Sequence, residues 1–344
     1  MVSHGVKIML NPVNYSCSSA PSAHHSSRLI NTTKCTVSRA IIRTLVPALC
    51  VLALTPGAAL AAPKQQPTLT PQVRTYVSGL GSDSNACTAA LPCRTLKAAL
   101  ALTTAGGEIY VLDSADYGPV TINKAVTITA DGAVAGVLAT SGVGISISAG
   151  ANDVVTLRGL NVDGGKTGSV GIQFSTGKAL NLQNSVLRGF ASAGLSFASG
   201  GASTLFISDT SVTNNGNNGI LVNGSGSAGV GGTFNRVTTS GNGVGIFASG
   251  AGVNITISDT VAGNNNYGLG ASGAAVMVRN STFSNNMVGI AADQSGVVRV
   301  GQSTITANAT GWQASNGAQV QSYGNNSVTG NTADGIVTTT VALQ

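Results

Sequence analysis

The acidic and basic side chains are few, so their spacing decides what chemistry they could do. Asp163 and Arg188 come first. Counted from Gly159 and from Asn184, each lies four residues on, so in a chain that repeats they share a column in adjacent turns. Such a pair either moves a proton, with the arginine as base, or is a surface ion pair contributing about 0 to 1 kcal/mol. One carboxylate supplies too few hard ligands for Ca²⁺, and Lys166 adds none, so the ion pair is the expectation. Asp209 and Asp259 end equivalent strands with Asn235 between them. Two turns separate them by about 10 Å, too far to share an ion, and their expected work is to hold turn backbone as asparagine does. Gly224-Ser-Gly226-Ser-Ala-Gly229 spells a dinucleotide fingerprint. Without a following helix or a surrounding βαβ unit it reads as a flexible turn insertion. Leu221 and Phe247 fall on the outer side of adjacent turns, and Phe206 and Met277 on the outer side of a second strand. Exposed rings on a flat sheet can stack a sugar or dock a protein; cover by long loops such as residues 223–232 is the equal alternative.

The elements that must position these residues follow from composition. Of 344 residues 46 are glycine, charged residues are 8%, aromatics 4%, hydrophobics 42%, and the formal charge is +6. An average chain has about 25% charged residues, and a disordered one needs low hydrophobicity or high net charge. Coiled coils, helical bundles and charge-rich disorder are excluded, leaving a β-solenoid, a β-sandwich array or a low-complexity wall protein. Five of the 17 basic residues, Lys7, Arg28, Lys34, Arg39 and Arg43, precede an apolar run from Leu45 to Leu54 and the small-residue signal Ala59-Leu60-Ala61. Residues 1–61 read as a secretory leader with a long basic stretch, its first 36 or so residues as an upstream-start extension. The apolar run is short for a bilayer span, and nothing later resembles one. Leu49 ahead of Cys50 does not suit lipidation.

Removal of that leader leaves 12 basic against 11 acidic residues, which argues against a nucleic-acid partner, and removes His4, His24 and His25, all the histidines of the chain. Ser-His-Asp and Cys-His catalysis, histidine-bound zinc and a histidine base are excluded for the mature chain. Cys87 and Cys93 remain, six apart in a chain bound for an oxidising compartment, and are expected to form a disulfide.

A glycine followed by a large apolar residue recurs at Gly144-Ile145, Gly171-Ile172, Gly194-Leu195, Gly219-Ile220, Gly245-Ile246, Gly268-Leu269, Gly289-Ile290, Gly311-Trp312 and Gly335-Ile336, with spacings of 27, 23, 25, 26, 23, 21, 22 and 24. Between these marks lies an alternating segment ending in an amide or acid, such as Leu180-Asn-Leu-Gln-Asn184 and Ile255-Thr-Ile-Ser-Asp259. Strands this short bury a face only by stacking on their copies. Ile145 through Ile336 then form one inward column. Ile147, Phe174, Phe197, Val222, Ala248, Ala271, Ala292 and Ala314 form a second, two residues on. Asn214, Asn215, Asn242, Asn264, Asn265, Asn285, Asn286, Asn308 and Asn331 mark turns, where asparagine tolerates left-handed backbone and can stack in amide ladders.

The expected fold is all-β: a right-handed single-stranded parallel β-helix of nine or ten turns, about 45 Å long. Arg94 to Leu102 carries Leu96, Ala99 and Leu100 on one helical stripe, an amphipathic cap over the first turn, pinned by Cys87 and Cys93. The domain plan is a leader at residues 1–61, a linker at 62–74 and a β-helix at 75–344 with its cap at 75–107. The far end, Thr338 onward, is frayed or stacked end to end on a partner.

Tyr76-Val-Ser-Gly-Leu-Gly-Ser-Asp83, Pro92-Cys93-Arg94-Thr95-Leu96 and Gly106-Gly107-Glu-Ile-Tyr-Val-Leu112, followed by the Gly-Ile turns, resemble the bacterial right-handed β-helix repeat proteins of the pectin lyase-like superfamily. The resemblance covers about residues 75–344 and implies the fold. It also implies activity on, or binding of, polysaccharide, since members include pectate and pectin lyases, polygalacturonases and adhesins. The polygalacturonase pattern of paired aspartates with a histidine is missing, as is the carboxylate cluster of calcium-dependent pectate lyases. A lyase reading would rest on Asp163 and Arg188, the arginine taking the proton beside a uronate carboxylate and Ca²⁺ required only in that case. The preferred expectation is a secreted, periplasmic or cell-surface protein, without cofactor or metal, that binds a polysaccharide or other surface component non-catalytically or as an adhesin through Leu221, Phe247 and Phe206. A polyuronate lyase and a filament-forming surface protein are the alternatives.

Overall fold

The structure, a computed structural model, describes residues 70–224 and 229–342. The leader, most of the linker and four residues of the Gly224–Gly229 insertion lie outside the described residues. Within them the chain winds as a right-handed parallel β-solenoid of three faces. The first face is a nine-stranded parallel sheet running from Val120–Ile122 through Val170–Thr176 to Thr310–Ala314. The other two belong to a 20-stranded sheet that bends between them, each strand pairing in parallel with its counterpart in the next winding.

Alternation makes the faces two-sided. On the first face Ile145, Ile172, Leu195, Ile220, Ile246, Leu269, Ile290 and Trp312 pair in succession, as do Ile147, Phe174, Phe197, Val222, Ala248, Ala271, Ala292 and Ala314. All are buried. The second face sends in Leu180, Leu182, Leu205, Ile207, Phe234, Ile257 and Val278, and the third sends in Leu187, Val212, Phe283 and Ile305.

The glycine before each first-face apolar residue has a steric cause. A Cβ on Gly268 would stand 2.6 Å from the carbonyl oxygen of Gly289 and 3.0 Å from Nδ2 of Asn286. Asn286 belongs to a buried amide ladder. Nδ2 of Asn215 donates to Oδ1 of Asn242 at 3.0 Å, and the chain continues through Asn265 (3.1 Å), Asn286 (3.2 Å), Asn308 (3.0 Å) and Asn331 (2.9 Å). Each Oδ1 also accepts the backbone N–H of the previous ladder residue. Left-handed Asn214, Asn264 and Asn285 stand just ahead of ladder residues and turn the chain into them.

At the first end the strand Gln72–Val77 pairs with Thr103–Val111. The helix Leu96–Leu102 starts two residues after Arg94, with Thr95 as its N-cap accepting from the Ala98 N–H. It buries Leu96, Ala99 and Leu100 and packs against Gln72–Val77, Thr103–Val111 and Val120–Ile122. A buried disulfide joins Cys87 to Cys93, with Cα atoms 4.6 Å apart.

The last repeat mark is a correction. Ile336 is 88% exposed and continues no column. After one bridge from Thr310 to Ala333 the chain leaves the first face, Gly335 takes φ 79°, and Thr339–Thr340 pairs with Gln319–Ser322 of the 20-stranded sheet. Two residues past Ile336 stands Thr338, where every completed winding has an apolar residue.

Candidate functional site

Asp163 and Arg188 pair in register between Leu160–Asp163 and Val186–Arg188, and Nε of Arg188 donates to Oδ2 of Asp163 at 2.8 Å. The turn residues that set this register, Gly159 and Asn184, are both left-handed. The other carboxylate oxygen accepts the Gly165 N–H at 2.8 Å. Both side chains are partly open to solvent, 31% for the acid and 49% for the guanidinium.

The same construction recurs. Arg158 pairs with Asp131 at 2.8 Å, and Arg236 grips both oxygens of Asp209 at 2.6 and 2.8 Å, again between adjacent windings. Donation and charge from Arg236 hold the Asp209 carboxyl below the usual carboxylate range and raise the guanidinium in return. Arg236 corrects the expected alignment, which put Asn235 between Asp209 and Asp259. Asn235 pairs with Ser208 and Ser258 inside the strands, and the left-handed position shared by Asp209 and Asp259 is held by Arg236. These acids therefore meet side chains rather than turn backbone. Asp259 accepts from Nδ2 of Asn235 at 2.8 Å and from Nδ2 of Asn280 at 2.5 Å.

Leu221 and Phe247 are paired neighbours on the outer side of the first face. The Phe247 ring lies over the next winding, where a Cβ on Gly270 would come within 2.9 Å of it. Tyr267, partly exposed, pairs with Val244 on the same face. Phe206 is also outward, but on the second face, in one column with Thr233, Thr256 and Met277. The structure thus brings Leu221 and Phe247 together and leaves Phe206 on another surface.

A further constellation escaped sequence reasoning. Arg279, Gly301 and Tyr323 follow one another at the outer end of second-face strands, beside Met277, Gln302 and Asn325, around a groove of about 590 Å³. Its signal was a missing side chain: the equivalent position carries Arg158, Gln183, Ser208, Asn235, Ser258 and Arg279, and then Gly301.

The carboxylates near Arg188 do not suit Ca²⁺, which takes six to eight oxygen ligands. Asp163 is engaged by Arg188 and Gly165, and no group of three His, Cys, Asp or Glu stands together among the described residues.

Residues 228–343 match the family model described as the right handed beta helix region. Among solved structures the chain is similar to a pectate lyase, Pel9A, at 15% identity with a TM-score of 0.61 over 80% of each chain. It is also similar to an alginate lyase from a Paenibacillus species, at 14% identity with a TM-score of 0.51, over 76% of this chain and 97% of that one. No curated protein matches the sequence. At these identities the likeness is one of fold: a right-handed parallel β-helix of the pectate lyase type.

Proposed function

We propose that the protein is a secreted β-helix that binds an extracellular or surface polysaccharide without cleaving it. The observation that carries this reading is the apolar ledge on the first face, where Leu221 and Phe247 sit side by side and the Phe247 ring extends over Gly270. A flat apolar strip flanked by polar residues suits the face of a sugar ring. The solved structures of similar fold, a pectate lyase and an alginate lyase, act on polysaccharides by name, which supports the ligand class. The Cys87–Cys93 disulfide and the leader-like residues 1–61 support an oxidising, extracytoplasmic setting, with an adhesin-like role at the cell surface included in the reading. Binding of the mature chain to a glycan array tests it. Phe247→Ala is expected to weaken the bound glycan severalfold, in line with about 0.5 to 1.5 kcal/mol for a stacked ring; unchanged binding would sink the role of the ledge.

The fold likeness to a pectate lyase keeps one competing reading in view. Arg188 would remove the proton beside a uronate carboxylate, leaving an unsaturated sugar that absorbs in the ultraviolet. Its partnership with Asp163 at 2.8 Å opposes that role, because the guanidinium is already committed to a carboxylate of its own chain. Incubation with polyuronate, with and without Ca²⁺, decides: an absorbance rise that vanishes in Arg188→Ala would replace binding by lysis.

A further inference from the structure

We infer that the groove over Gly301 is a second carbohydrate subsite, one that takes the carboxylate of an acidic sugar. The inference rests on the polysaccharide reading for its ligand class, but on a different face and different residues from Leu221 and Phe247.

Gly301 leaves a gap in a column otherwise filled by side chains, with Arg279 one winding before it and Tyr323 one winding after. Arg279 and Tyr323 thus stand two windings apart, about 10 Å along the axis, and line one groove. The Tyr323 ring already leans into that space. A Cβ on Gly301 would stand 3.2 Å from Cδ2 of Tyr323 and 3.5 Å from Oδ1 of Asn325.

The charge within it is unspent. Arg74, Arg158, Arg188 and Arg236 each hold a carboxylate. Arg279 holds none among the described residues. Its Nε donates to Oε1 of Gln302 at 3.0 Å, which orients the fork and leaves both terminal nitrogens without a partner among the described residues. Asp259, which lines an adjacent hollow together with Arg279, accepts from Asn235 and Asn280 and makes no ion pair with the guanidinium among the described residues.

An arginine fork matches a carboxylate in two parallel hydrogen bonds. The Tyr323 ring and the Met277 side chain suit the apolar face of the same sugar, and the side-chain amide of Asn325, whose oxygen accepts the Gln302 N–H at 2.9 Å, keeps its nitrogen for a hydroxyl. A neutral sugar would leave the guanidinium unmatched, so the groove selects for uronate.

The test uses titration calorimetry of the mature chain with trigalacturonate and with neutral maltotriose. Trigalacturonate is expected to bind, to weaken at least about tenfold in Arg279→Gln, to weaken also in Gly301→Val, whose side chain would push the Tyr323 ring from its place, and to be unaffected by Phe247→Ala. Maltotriose is expected neither to bind this groove nor to compete there. Melting temperatures of both groove variants close to that of the parent chain show that the fold is intact. Equal trigalacturonate affinity in Arg279→Gln and the parent, or loss only in Phe247→Ala, would overturn the subsite. If trigalacturonate fails while a polymer binds through the Phe247 ledge, the subsite falls and the polysaccharide reading stands. Trigalacturonate binding through Arg279 with no polymer on the ledge would have the opposite meaning.

Discussion

The windings before and after residue 200 solve the same packing problem with different material. In the earlier ones Phe174 and Phe197 stack in the first-face column with centroids 4.2 Å apart and planes 8° from parallel. In the later ones that column narrows to Ala248, Ala271, Ala292 and Ala314, and the bulk returns from the third face as Phe283, whose ring would lie 3.0 Å from a Cβ on Gly268. The turn into the first face differs as well. Phe190 fills it in the earlier windings, its ring 2.9 Å from where a Cβ on Gly171 would stand, while the amide ladder from Asn215 to Asn331 fills it in the later ones. The two devices meet where the Phe190 N–H donates to Oδ1 of Asn215 at 3.1 Å. A solenoid needs each cross-section filled and each buried polar group satisfied; which face supplies the volume is free to drift along the axis.

Cutting each device should show which holds its region. Phe197→Ala removes half of a stacked aromatic pair from a fully buried site and is expected to cost about 3 to 5 kcal/mol in urea unfolding. A cost under about 1 kcal/mol would mean that the earlier windings collapse around the loss as freely as the alanine-lined ones. Asn265→Ala comes next. It strips acceptors from the Asn242 N–H and Nδ2 and donors from the Thr239, Gly263 and Asn286 oxygens, all buried. Unsatisfied buried groups cost about 1 to 3 kcal/mol each, and local rearrangement should hold the total near about 3 kcal/mol. Hydrogen exchange should accelerate in windings 242–308 first and leave those before residue 200 protected. Uniform acceleration would make the two regions one cooperative unit.

The smallest effect concerns acid. The ladder is built of amides and does not titrate, whereas the first end contains Asp113. Donation from the Ser78 hydroxyl, then from the Gly79 N–H and the Tyr117 hydroxyl, holds the Asp113 carboxyl below its ordinary value of 3.8. Burial, followed by its bond to Asp113, pushes the Tyr117 phenol up, so that it stays a donor at all ordinary pH. A lowered carboxyl stabilises the fold above the ordinary carboxylate range, and this is lost as pH falls through the lowered value. Between about pH 5 and about pH 2 the first end should therefore loosen, and Asp113→Asn should flatten that part of the melting profile. Identical acid profiles for the variant and the parent would remove Asp113 from the explanation.

Much of this was legible in the sequence, for physical reasons. Inward columns demand apolar residues at fixed phase, so Ile145 to Trp312 and their partners two residues on identified themselves. Asn215 and its successors were visible because left-handed turns and buried amides both select asparagine. Ile336 misled because its glycine matched the mark while Thr338 breaks the second column. Arg236 was missed because arginine is rare at a left-handed turn, so the count anchored on Asn235. The Gly301 groove was invisible because a missing side chain has meaning only once register shows what stands above and below it. The Asp163–Arg188 contact was readable from spacing alone; the Asp209–Arg236 contact, built the same way, was hidden by a one-residue slip.

The asparagine ladder also has a direction. Every Nδ2 from Asn215 to Asn308 points toward the C-terminal end, so six amide dipoles add head to tail along the axis and leave a positive pole at Asn331. There Nδ2 meets the Asp334 carboxylate at 2.8 Å. The thread thus ends on a fixed counter-charge, much as an anion closes the N-terminus of a helix, and flipping any one amide would set it against all the others at once.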